Sequence, residues 1–130
     1  MPRAGVAISR SPVSRLPAKL DLALTKRLRE VVDGRPATES ELRSLADQAG
    51  GWARATEAQL RAAEGRLAKL NADRSSPLAA IAAEVRRTEA LTQELNEART
   101  LIEGLEARTR ELRTEYLRHH AESARPFSAG

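Results

Sequence analysis

Apolar residues in the last third of the chain recur every three or four positions, and this spacing limits the fold more than any other feature. Leu91, Leu95, Ala98, Ile102, Leu105, Thr109, Leu112 and Tyr116 step alternately by four and three. That spacing places all eight on one stripe of an α-helix, whereas a strand would need alternation every second residue. An earlier run of Leu78, Ile81, Val85 and Thr88 has the same character, but it joins the later one through a step of three where four is due. Such a stammer locally overwinds a coiled coil. The spacing predicts one helix over 77–123, roughly 70 Å long at 1.5 Å per residue.

Composition supports the same class. Ala, Leu, Glu, Arg and Lys supply 77 of the 130 residues, and Trp52, Tyr116 and Phe127 are the only aromatics. Such a chain makes long helices with a narrow Ala/Leu stripe. It lacks the aromatic area that normally fills a thick core. The fold expected is all-α: an antiparallel helical hairpin or coiled coil with a long C-terminal helix and a short N-terminal helix.

Punctuation residues divide the rest. Residues 1–16 mix Pro, Gly, Ser and Arg without helical period and read as a flexible basic arm. A short amphipathic helix is expected over 17–34, with Pro17 at its first position, Leu20, Ala23, Leu24, Leu28 and Val31 on its apolar face, and Gly34 ending it. Residues 38–123 read as the hairpin. Thr38-Glu39-Ser40-Glu41 is a capping box that opens its first arm, 38–72. Gly50-Gly51 costs roughly 2 kcal/mol against alanine inside a helix, so a kink or short turn is expected there. Residues 73–76 form the turn, with Ser76 as N-cap and Pro77 as first helical residue. Residues 124–130 form a tail, and Trp52 is the one large side chain able to anchor the 17–33 helix on the hairpin.

Charge and residue chemistry bear on function. The net charge of +4 lies in the leading arm, where Arg3, Arg10, Arg15 and Lys19 stand without an acid. The arm reads as a nucleic-acid contact, a targeting segment or a disordered tail. The chain has no cysteine, which removes disulfides and thiolate metal sites. His119 and His120 are adjacent, so on a helix they point about 100° apart and cannot chelate one metal. No nucleophile–base pattern or phosphate loop is present. The expectation is a non-enzymatic protein without cofactor or metal. No apolar run approaches the ~20 residues of a membrane span, so a cytoplasmic protein with no membrane partner is expected.

Two functions fit. In the first, the chain is a helical scaffold or adaptor that self-associates or binds another helical protein through the 91–116 seam. Leu95, Ile102, Leu105, Leu112 and Tyr116 carry that contact, because the first arm is too short to cover the far end of the last helix. In the second, the chain is a small DNA-binding regulator dimerised by the long helix. There Leu42–Leu60 acts as a helix-turn-helix bent at the glycines. Arg54, Thr56, Gln59 and Arg61 lie on the reading helix, and the candidate nucleic-acid contacts are Arg3, Arg10, Arg15, Lys19, Arg54 and Arg61.

Overall fold

The computed structural model describes residues 22–124, and within them every regular element is an α-helix. Helix α1 covers 22–32, α2 covers Glu39–Ala72 and α3 covers Leu78–Ala124. The arm, Pro17, Leu20 and Phe127 lie outside the described residues. No described helix is long and apolar enough to cross a membrane.

Each helix end follows from local chemistry. Gly34 closes α1 at φ +108°, a left-handed value that costs a Cβ-bearing residue dearly. Around it the Arg35 amide donates to Glu30 C=O at 2.9 Å and the Gly34 amide to Val31 C=O at 3.1 Å. These are the paired bonds of a Schellman cap. Thr38 opens α2 by accepting the Glu41 amide on its hydroxyl at 3.0 Å. The other half of the expected capping box is replaced: the Glu41 carboxylate takes Arg27 instead of reaching back. The guanidinium gives the carboxylate two parallel charge-assisted bonds where a backbone amide would give one.

The start of α3 also departs from expectation. The Pro77 carbonyl accepts from Ile81 at 3.2 Å, so Pro77 stands at the capping position, one residue ahead of its expected place. Asp73 organises the loop by accepting both the Ser75 amide, at 2.9 Å, and the Ser75 hydroxyl, at 2.7 Å. Those two bonds, the hydroxyl first, hold its carboxyl below the usual carboxylate range.

Gly50-Gly51 forms no turn, and α2 runs through both glycines as one helix. The reason lies in the seam on either side. Leu42, Leu45, Ala49, Trp52, Thr56 and Ala63 are all buried at three- and four-residue steps or their multiples, so the apolar stripe crosses the glycines unbroken. Burying Trp52 alone outweighs the roughly 2 kcal/mol lost at two glycines. A Cβ on Gly51 would meet nothing within 4 Å. Gly51→Ala should therefore stabilise the protein by about 1 kcal/mol and raise Tm by about 4 °C in a thermal melt. An unchanged or lower Tm would show that the glycine serves a purpose other than helix.

The chain divides into two compact units, Met1–Leu45 with Gly104–Gly130, and Ala46–Glu103. In the second, side chains of α2 and α3 meet. Trp52 bonds Glu94, Arg99 pairs with Glu57 at 3.6 Å and Arg66 with Glu84 at 3.0 Å. The inward positions of α3 here are Ile81, Glu84, Thr88, Leu91, Leu95, Ala98 and Leu101, while Leu78 and Val85 are exposed. The double step of three expected at Thr88–Leu91 therefore falls at Leu95–Leu101 instead, since Glu84 and not Val85 takes the seam. Arg66 on the facing helix supplies the reason, a charge partner that Val85 could not use.

In the first unit, α1 packs beside the start of α2 and the distal half of α3. Leu24, Leu28, Val31, Leu42, Leu45 and Leu105 are its buried apolar residues. Gly104 gives α1 a notch. A Cβ there would lie 3.0 and 3.1 Å from the two γ-methyls of Val32, a side chain whose rotamer is stiff. Arg108 adds a bond across the gap, donating from Nη2 to the Gly34 carbonyl at 3.3 Å. The sequence leaves the far end of the last helix without cover from its own chain. The structure shows that α1 supplies part of that cover, at Gly104–Arg108.

Candidate docking surface

The five residues expected to form a partner surface do not share one environment. Leu95 and Leu105 are buried within the chain's own fold and Ile102 is half-buried. Leu95 and Leu105 are core residues. Leu112 is half-buried, and Tyr116 is exposed. Leu101, which the three-four repeat passes over for its neighbour Ile102, is buried. Two adjacent apolar residues had one place in that repeat, and the helix turns both partly inward.

Distal α3 retains an apolar surface. Tyr116 is 66% and Leu117 59% exposed. They border a cleft of about 440 Å³ lined also by Ala37, Leu42, Thr109 and Leu112, with Glu39 and Arg113 at its walls. The Tyr116 ring stacks on His120 at a centroid distance of 6.0 Å and an interplanar angle of 11°, which holds the phenol against its own helix. Leu117 was absent from the expected set because it lies one position off the repeat. Its exposure beside Tyr116 could have been found only from where α2 begins and from the position of α1.

Arg27 and Glu41 close the α1–α2 corner of this unit. Arg27 Nη2 donates to Glu41 Oε1 at 2.7 Å and to Pro36 C=O at 3.1 Å, Nε donates to Glu41 Oε2, and Nη1 donates to Glu30 at 3.2 Å. The Arg27 bond lowers the Glu41 carboxyl below its ordinary value. Bonding to Glu41 raises the Arg27 guanidinium well above its own. A lowered carboxyl stabilises the fold above its unfolded value of about 4.3 and loses that contribution as pH falls through the folded value. Arg27 stays charged throughout, so only the acid limb is expressed. Amide exchange in 22–32 should therefore quicken relative to the rest of the chain as pH falls below about 4, after correction for intrinsic rates. Glu41→Gln should remove that extra dependence. If the variant keeps it, another group is responsible.

Of the candidate nucleic-acid residues, the structure describes Arg54 and Arg61. Arg3, Arg10, Arg15 and Lys19 lie outside the described residues. Arg54 is exposed on α2, its Nη1 near Gly50, 3.3 Å from where a Cβ there would be. Arg61 pairs with Glu57 at 3.2 Å. Thr56 is buried, and its hydroxyl donates to Glu94 at 3.2 Å. A helix-turn-helix needs two helices, and 42–60 belongs to one. The Trp52 indole donates to Glu94 on α3 at 2.8 Å. Among the described residues, no group of three or more His, Asp or Glu is placed to hold a metal ion. No family model, curated protein or solved structure matches this chain.

Proposed function

We propose that this chain is a non-enzymatic helical scaffold or adaptor, an antiparallel α2–α3 hairpin that associates with a second copy of itself through distal α3. The observation that carries the reading is the exposed Tyr116–Leu117 pair beside an apolar cleft. Large apolar side chains grouped at one place on a surface otherwise rich in charge mark association sites. The ridge and the cleft lie side by side, so a two-fold axis can set each copy's ridge against the other's cleft. The cleft walls carry Glu39 and Arg113. The same axis can bring the acid of one copy to the base of the other, a complementarity that favours this register.

The test is solution mass by light scattering across a concentration series. The native chain should exceed its 14.2 kDa monomer mass. The double variant Tyr116→Glu, Leu117→Glu should return to monomer with unchanged helix content, because both residues lie outside the core. A native chain that is monomeric at every concentration would sink the reading.

A further inference from the structure

We infer that the groove holding α1 also accepts α1 of a second copy, with residues 33–38 as the hinge of a reciprocal exchange. The inference goes beyond the distal docking face and uses none of its exposed residues. Every feature that seats α1 belongs to the rest of the same unit. Gly104 makes room for Val32, Glu41 receives Arg27, Arg108 reaches the Gly34 carbonyl, and Leu42, Leu45 and Leu105 supply buried apolar residues. An identical helix from another copy satisfies the same contacts without loss, which is the condition for exchange of an element between protomers.

Two observations favour opening. Among the described residues, α1 buries three apolar side chains, Leu24, Leu28 and Val31, a small apolar contribution to set against the entropy of release. The closed turn also depends on Gly34 at φ +108°. An exchanged α1 leaves through an opened 33–38 segment and does not require that left-handed value.

The chain has no cysteine, so introduced thiols report contacts without background. The Val32 Cβ lies 3.7 Å from an ideal Cβ at Gly104, within the roughly 3.5–4.5 Å that a disulfide spans. The double variant Val32→Cys, Gly104→Cys should form this bond on mild oxidation, and failure to do so would overturn the docking geometry on which the inference rests. The decisive experiment mixes two single variants, Val32→Cys and Gly104→Cys, refolds them together and oxidises. A disulfide joining position 32 of one chain to position 104 of the other forms only if α1 of the first sits on the second. Its yield should rise with protein concentration, exceed that of the two homodimeric links, and increase about tenfold when both chains carry Gly34→Ala, which penalises the closed turn. Mixed links no commoner than the homodimeric ones, at every concentration and with Gly34→Ala, would overturn the exchange. Because Tyr116 and Leu117 are untouched throughout, failure here leaves the distal docking reading standing, and the reverse also holds.

Discussion

Replacing Trp52 with alanine is expected to cost about 4 kcal/mol of unfolding free energy. The residue is 7% exposed and is the largest side chain in the unit formed by Ala46–Glu103. Two losses combine. The first is the buried indole and the cavity it leaves in a seam otherwise built from Ala, Leu and Thr. The second is electrostatic, because Trp52 Nε1 and the Thr56 hydroxyl both donate to the same oxygen of Glu94, at 2.8 and 3.2 Å. Removing the indole takes the shorter of these bonds from a partly buried carboxylate. Trp52→Phe separates the two losses. It keeps most of the burial and should cost about 1.5–3 kcal/mol, the range for a hydrogen bond to a charged group. Adding Glu94→Leu and Thr56→Val to Trp52→Phe should recover part of that cost, since the Thr56 hydroxyl also donates to Glu94 and matched apolar partners at all three positions strand no polar atom. Urea unfolding followed by circular dichroism measures all three without needing the tryptophan as probe. If Trp52→Ala loses less than about 1 kcal/mol, the seam does not rest on this residue.

Helical class was legible because short-range rules govern it. A three-four repeat has only one regular solution, and Gly34, Thr38 and the 73–77 punctuation act within a few residues. What failed depended on the facing element. Val85 is the apolar choice for the seam, yet Glu84 takes it, because Arg66 stands opposite. The Glu84 Oε2 atom is buried without a hydrogen-bond partner, so this position trades solvation for its pairing. Gly50-Gly51 reads as a break by propensity, but continuous burial on both sides overrides it. Gly104 carried no signal at all, since its purpose is visible only once Val32 is beside it. Which candidate surface residues the chain itself covers was not legible, for a related reason. An apolar stripe on α3 looks the same whether α1, α2 or another molecule covers it. Only the path of the chain separates Leu95 and Leu105, which are covered, from Tyr116, which is not.

Leu105 puts that distinction to the test. From sequence it belongs to a docking face, where truncation would change solution mass and leave stability alone. In the fold it is 1% exposed and, with Leu28 and Val31, among the largest fully buried side chains. Leu105→Ala should therefore cost about 3 kcal/mol, the transfer free energy of the lost methyls together with the cavity that remains. Relaxation can fill little of that cavity. Gly104 already lies against Val32, so α1 is near its closest approach and cannot slide inward. The loss should be read first in α1. If opening of 22–32 is coupled to this site, its amide exchange quickens by about a hundredfold, the factor that 3 kcal/mol allows. The 46–72 arm should change far less. A drop in solution mass with unaltered stability would return Leu105 to the surface and show that α1 does not cover it.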